Sequence, residues 1–360
     1  MNSSITLAGP FGTSHTLIIH RYGRPGARPQ AYIQAGLHAD EVPGMLTAQH
    51  FCARLAAVPA EQFVGEVIVV PVANPIGLGQ RVLGSAIGRF DLSDGLNFNR
   101  GYPVLRPSVT TGTDATANVT LIRAALHAAH DATPRITPAE HLKHALLAMA
   151  LDADIVLDLH CDGEATMHLY ALTPSAPQAA ALAGFLGANP VLLAEESGDN
   201  PFDEAASRPW LDLAHQHPDA AIPQACFACT VELRGSGDVS DAMAEADSAG
   251  LLAFLRHQGV LTGGTQAPPA AAATPLAGVE HLIAPVPGVV VFHVAPGAEV
   301  TAGTAMLDIV DPATGARITL TAQHNGIFFA RGTTRFAAAG RRLGKIAGAV
   351  AFREGKLLTP

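Results

Sequence analysis

The sequence predicts an α/β protein whose mostly parallel or mixed sheet is covered by helices, followed by a small C-terminal all-β domain. Three observations predict it. Apolar runs of strand length alternate with amphipathic runs of helix length over the first two thirds of the chain; an Ala/Pro-rich break then interrupts that rhythm; and short β-like runs with glycine turns fill the remainder. With 360 residues and 48% hydrophobic content, the chain has material for one large core and a smaller one.

In chain order, "AYIQAG" (31–36) reads as a strand and "VPGMLTAQHFCARLAA" (42–57) as a helix with Pro43 in its first turn, where the missing N–H costs nothing. "GEVIVVPVANP" (65–75) is apolar throughout, as a strand in the middle of a covered sheet should be. Residues 104–117 form a Thr-rich loop. "TPAEHLKHALLAMALD" (137–152) opens on a Thr cap and continues as a helix, with Glu140, Lys143 and His144 on a solvated face. "ADIVLDLH" (153–160) and "CFACTVELRG" (226–235) are two further buried strands. Cys226 and Cys229 would point to opposite faces of the last one, so they read as buried thiols rather than a metal pair. "TQAPPAAAATP" (265–275) has neither period nor turn pattern and reads as a linker. It divides a large domain (1–264) from a small one (276–360). In the latter, the stretch 284–309 is echoed by 322–346, with Gly288 matching Gly326 and Gly303 matching Gly340, as in a two-halved β-sandwich or barrel.

A net charge of −9, with no basic cluster longer than a pair such as Arg341–Arg342, argues against nucleic acid or an acidic membrane surface as partner and favours a small molecule or peptide. No apolar run reaches 18 residues and the N-terminal stretch has no signal-like pattern, so the expected setting is cytoplasmic.

The chemistry gathers at strand ends. His38 and Glu41 lie at i and i+3 just after a strand, either as ordinary polarity at a helix start or as two ligands of a metal whose catalytic site would need a third. His160 ends a buried apolar strand, where a polar side chain needs a partner, and Asp158 shares its face. The loop 74–103 carries Arg89, Asn99 and Arg100, a set suited to gripping a carboxylate and a polarised carbonyl unless Asp91 and Asp94 neutralise the arginines internally. Glu232, in a β-branched and apolar strand, is either an ion-pair partner of Arg234 or a catalytic base.

Taken in order, G-x-H-x-x-E, N-P-x-G, R…N-R, D-x-H and T-V-E-L resemble the zinc carboxypeptidase-like hydrolases of the succinylglutamate desuccinylase/aspartoacylase family, over residues 30 to 255. The resemblance implies His38, Glu41 and His160 as zinc ligands, Glu232 as general base and then acid, Arg89 as the carbonyl-polarising group, and Asn99 with Arg100 as holders of a substrate α-carboxylate. It implies hydrolysis of an N-acyl amino acid, with a zinc carboxypeptidase acting on peptides or a non-catalytic zinc or amino-acid binding protein as the alternatives. Asn97 stands where the family commonly has aspartate, which leaves the support of that loop open. Recognition of the substrate side chain is open between Arg208 or Arg234 and, for a diamino acid, Glu195, Glu196 and Asp199. The tail resembles the lipoyl/biotinyl carrier fold and the family's C-terminal β-domain. Its hairpin (310–320) has no lysine and the only lysines past the linker are Lys345 and Lys356, so a lid or a homo-oligomer contact is expected rather than a swinging arm.

Overall fold

The structure, a computed structural model, describes residues 2–9 and 12–358. A nine-stranded sheet runs through the larger part of the molecule. Its strands are β1 (Asn2–Ala8), β2 (Ser14–Gly23), β3 (Gln30–Ala35), β4 (Glu66–Val70), β5 (Ile155–Asp162), β6 (His168–Leu172), β7 (Val191–Ala194), β8 (Phe227–Gly235) and β9 (Thr274–Pro275). They lie in the order β1-β2-β4-β3-β5-β8-β6-β7-β9. The pairs β4 with β3, β3 with β5, β5 with β8, β6 with β7 and β7 with β9 are parallel; β1 with β2, β2 with β4, and β8 with β6 are antiparallel. The sheet is thus mixed and mostly parallel. Part of the stretch read as a linker joins it, since β9 extends the edge beside β7.

The helices longer than one turn are α1 (Pro43–Ala57), α2 (Ala115–Asp131), α3 (Pro138–Ala150), α4 (Ala176–Leu186), α5 (Phe202–Gln216) and α6 (Asp241–His257). On one face of the sheet, Tyr32, Ile68, Val156 and Ala228 pack with Ile122, Leu146 and Trp210 of α2, α3 and α5. On the other, Ile33, Val67, Leu157 and Val231 pack with Phe51, Leu182 and Phe254 of α1, α4 and α6. Strands covered on both faces have no reason to alternate polar with apolar residues, which accounts for the continuous apolar runs. Cys226 and Cys229 are buried free thiols in opposite layers, as the pleat requires.

Two boundaries differ from expectation. The strand read over 65–75 stops at Val70, because Pro71 cannot donate to a ladder, and Asn74 instead caps the single helical turn Pro75–Leu78 through Gly77 N at 2.8 Å. The loop read over 104–117 ends at Asp114, whose carboxylate caps α2 through the backbone N–H of Thr116 and Ala117. The solvated-face reading of α3 holds for exposed Glu140 and is corrected for Lys143. Glu140 closes a capping box with Thr137, and Lys143 crosses to the loop before α2, donating to the carbonyls of Asn97 (3.2 Å) and Arg100 (2.6 Å).

The C-terminal part is all β: β10 (Val279–Ile283), β11 (Gly288–Phe292), β12 (Ala298–Val300), β13 (Ala305–Val310), β14 (Arg317–Thr321), β15 (Gly326–Arg331), β16 (Phe336–Ala337) and β17 (Arg342–Ala347). Two sheets, ordered β10-β17-β15-β12 and β14-β13-β11-β16, enclose a core that includes Val290, Leu307, Phe328 and Ile346. The internal echo is structural. Gly288 and Gly326 open β11 and β15, while Gly303 (φ 90°) and Gly340 (φ 80°) occupy left-handed turns that a side chain would strain. This part is tied to the α/β part: β15 pairs with Glu164–Ala165, Arg331 donates to Glu164 at 2.7 Å, Arg335 pairs with the same carboxylate, and Lys345 meets Asp162 at 2.5 Å. Among the described residues, no helix is long and apolar enough to cross a membrane.

Candidate active site

The site forms where β3, β5 and β8, neighbours in the sheet, reach their C-terminal ends. After Ala35 the chain turns at Gly36, whose φ of 69° would strain any side chain. That turn delivers His38 and, through the hydrogen bond of Glu41 N to His38 O (3.0 Å), Glu41. A second close approach brings in the loop: Gly88 O accepts from Ala39 N at 3.1 Å, and a Cβ on Gly88 would lie 2.2 Å from Asp40 N. Arg89, next along, therefore lands on the pair, with Nη2 donating to Glu41 Oε1 at 2.9 Å and Nη1 3.5 Å from His38 Nε2.

His38, Glu41 and His160 are all buried, and they offer ligand atoms lying within 4.8 Å of one another. The Glu41 carboxylate bridges the imidazoles, its Oε1 3.0 Å from His38 Nδ1 and its Oε2 2.8 Å from His160 Nδ1. The opposite ring nitrogens are fixed by other partners: His38 Nε2 lies 2.8 Å from Asn97 Oδ1, and His160 Nε2 lies 2.9 Å from Asp158 Oδ2. Behind Asp158 the chain continues inward, with Gln34 donating to Asp158 Oδ1 (3.0 Å) and Tyr32 to Gln34 (2.8 Å). Asn97 also accepts from Asn99 N at 2.8 Å, so the amide at the position where aspartate is common does brace the loop. Two imidazole nitrogens and a carboxylate oxygen, each ring oriented from behind, form a donor set that suits a zinc ion. Ligand atoms at tetrahedral zinc stand roughly 3.3–3.6 Å apart, a small adjustment from the 3.0 and 2.8 Å contacts that Glu41 makes with the two imidazoles. The residues fit such an ion.

The electrostatics agree with a cation-ready cluster. Burial pushes His38 down to about 4, and nearby Arg89 adds to the effect. Glu41 is held well below the usual carboxylate range despite its burial, by His38 and His160. His160 is raised well above the usual histidine value against burial, by Asp158 and Glu41. A proton on His160 thus supplies positive charge between two buried carboxylates.

Glu232 stands on β8 directly beside His160 of β5 in the parallel register. Its Oε2 is buried and has no hydrogen-bond partner. Burial first, then the Glu41 carboxylate, push its carboxyl up to about 8, with His160 opposing. Of the two readings left open for Glu232, the ion pair with Arg234 does not form. Arg234 has φ 62°, which breaks the alternation along β8 and sends its guanidinium to Asp247.

His38, Arg89, Asn99, Arg100, His160 and Glu232 line one cavity of about 240 Å³, with Glu41 immediately behind. Asn99 Oδ1 accepts from Phe202 N at 2.9 Å, and its Nδ2 lies 3.3 Å from His160 Nε2. Arg100 Nη1 donates to the carbonyl of Asn99 at 2.7 Å, and burial pushes its guanidinium down. Asp91 and Asp94 cap their own turns through Ser93 N and Leu96 N.

Of the residues considered for side-chain recognition, none lines this cavity. Arg208 pairs with Glu196 and Asp212, Asp199 with Lys356, and Glu195 is exposed. Instead Asp203 and Glu204, from the first turn of α5, face the cavity. Burial pushes Asp203 up to about 6 and Glu204 up to about 7. The remaining wall comes from the C-terminal part: Leu276, His281, Arg342, Lys345 and Leu358. Acidic residues opening a mostly apolar helix in "PFDEAASRPW" were the one available signal for the first pair; nothing local marks the second group.

Comparison with known proteins points the same way. The profile of the succinylglutamate desuccinylase/aspartoacylase catalytic domain matches residues 27–258. A family protein from Shewanella amazonensis SB2B is 25% identical with a TM-score of 0.85, over 96% of this chain and 98% of its own. Another, from Shewanella frigidimarina NCIMB 400, is 24% identical with a TM-score of 0.82, over 97% of each chain. The ectoine utilization protein EutE (DoeB) of Ruegeria pomeroyi, in a product-bound structure, shares the fold at 18% identity and a TM-score of 0.67, over 97% of this chain and 94% of that one. No curated protein matches the sequence. Since the matched profile spans well over half the residues and includes the strand ends that carry the buried His-Glu-His group, the chain belongs to the succinylglutamate desuccinylase/aspartoacylase family of hydrolases.

Proposed function

We propose that the protein is a zinc-dependent hydrolase that cleaves the amide bond of an N-acylated amino acid. The observation that carries this reading is the unpartnered Oε2 of Glu232, buried in the cavity next to His160. A buried carboxylate oxygen without a donor is costly for a purely structural group and useful for one that must accept a proton.

His38, Glu41 and His160 would hold the zinc, which when bound supplies Lewis acidity toward a water molecule and the amide carbonyl. Glu232 takes the proton from the attacking water. It then returns that proton to the departing amine nitrogen. Arg89, half-exposed beside the cluster, faces the developing negative charge on the carbonyl oxygen. Arg100 holds the α-carboxylate, and Asn99, anchored through Phe202 N, fixes that arginine's backbone beside His160. A cavity of about 240 Å³ walled by the C-terminal part suits an acyl amino acid and favours it over a peptide. We read residues 1–264 as the catalytic domain, 265–275 as a linker whose last two residues join the sheet edge, and 276–360 as a lipoyl-like domain that serves as a wall rather than a carrier.

The test is a hydrolysis screen of zinc-loaded protein over N-acetyl, N-formyl and N-succinyl amino acids, repeated with Glu232→Gln. The wild type should turn over at least one series. The variant should retain its zinc and lose rate by about 10²–10⁴-fold. Near-normal turnover in zinc-replete Glu232→Gln would remove Glu232 as the base.

A further inference from the structure

A second group of metal-binding character lies outside the cavity, between α2 and α3. His130 and Asp131 end α2, and His144 lies in the middle of α3. Their ligand atoms lie within 4.8 Å of one another. The two imidazoles face each other with ring centroids 3.8 Å apart and an interplanar angle of 31°. His130 is fully buried, yet neither of its ring nitrogens has a hydrogen-bond partner. Asp131 Oδ1 lies 3.8 Å from His130 Nδ1 and is open to solvent.

An imidazole is an amphoteric side chain, and burial with both nitrogens unused leaves a donor and an acceptor unsatisfied. Stacking against a second imidazole does not cure this, because a ring face offers no lone pair. One more contact identifies what the group attracts. The Arg135 guanidinium sits against both ring nitrogens of His144, 3.1 Å from Nδ1 and nearer still to Nε2. A cation thus already occupies the mouth of the group. Neither ring nitrogen of His130 is engaged, and the group facing the nitrogens of His144 is a guanidinium, which donates only and brings positive charge.

We propose that His130, Asp131 and His144 bind a second divalent transition-metal ion, with Arg135 as a built-in competitor that swings aside when the ion enters. Two imidazole nitrogens and one carboxylate oxygen select zinc, nickel or copper over magnesium or calcium, which prefer all-oxygen shells. Occupancy would clamp the end of α2 to α3, next to Lys143, the residue that holds the carbonyls of Asn97 and Arg100.

The experiment is equilibrium dialysis of the metal-stripped full-length chain against Zn²⁺ alone, and separately Ni²⁺ alone, with elemental analysis. Wild type should bind one ion more per chain than His144→Gln, whatever the inner His-Glu-His group holds. Asp131→Asn, an exposed change that leaves the buried ring in place, should weaken the extra ion by about tenfold or more. Arg135→Ala should tighten it by about tenfold, since removing a contacting positive charge relieves direct repulsion. Equal stoichiometry and affinity in wild type and His144→Gln would overturn the proposal. So would an Asp131→Asn protein, folded by circular dichroism, with unchanged affinity.

Discussion

Lys143 offers a sharp test of how the loop is held. Its ammonium donates to the carbonyls of Asn97 and Arg100 and lies 5.5 Å from the centre of the Tyr102 ring, so one charge pins both ends of the segment that carries Asn99 and Arg100. Burial pushes that ammonium down from the usual lysine range, with Asp94, Glu140 and Asp91 opposing. Lys143→Met keeps the stem and the helix propensity and removes only the charge and its donors. Each hydrogen bond from a charged group contributes about 1.5–3 kcal/mol. The site is only part-buried, so water replaces much of this, and a net loss of about 2 kcal/mol is reasonable. If that loss falls on loop order, about 2 kcal/mol corresponds to a KM increase of roughly 30-fold. The assay is kcat and KM, measured separately on the best substrate of the screen, with zinc content and thermal melting alongside. KM should rise by about 10–30-fold, kcat should stay within about threefold, and zinc should be retained, because His38 and His160 keep their orienting partners. An unchanged KM with a lowered melting temperature would refute the reasoning and leave Lys143 as a brace for the helix layer alone.

Glu204 gives a pH dependence of definite sign. Its folded value of about 7 lies above the ordinary 4.5, so the folded chain holds a proton that the unfolded chain releases; its contribution is complete below about 4.5 and is lost as pH rises through 7. Glu204→Gln, which keeps the acceptor for Ser197 N, should therefore gain on wild type between pH 4.5 and 7 and stay ahead above that, by roughly 2–3 kcal/mol; denaturant melts showing a pH-independent difference would contradict this. Lys345→Met breaks the pair with Asp162 across the boundary between the α/β and all-β parts and, since both side chains are partly solvated, should cost about 1–3 kcal/mol. Adding Asp162→Asn should recover most of that loss, and a single variant as stable as wild type would show that the pair does not fasten the wall.

How much of this was legible in the sequence depended on whether a residue's role is set locally. His38 and Glu41 share one turn, and His160 with Asp158 shares one strand face, so spacing alone brought each pair together. The buried strands were legible for the same reason, since an apolar run between two helix layers needs no tertiary information. Lys143, Asp203 and Lys345 were not. Each reaches the site or its loop from a helix or strand whose own pattern points elsewhere, and only the packing of α3, α5 and β17 around the strand ends makes them neighbours.

Glu232 and Arg234 show the same limit within a single strand. Simple alternation puts them on one face, where arginine would neutralise glutamate and leave nothing for catalysis. The backbone at Arg234 instead adopts φ 62°, a conformation that costs a non-glycine residue about 1–2 kcal/mol, and the ladder between Glu232 and Gly235 shifts accordingly. Arg234 then finds Asp247, and Glu232 keeps a bare oxygen facing the cavity. Strain of this kind collects where a local conflict serves a site. Here one residue's backbone separates a structural ion pair from a free carboxylate, and no pattern of side-chain types announces it.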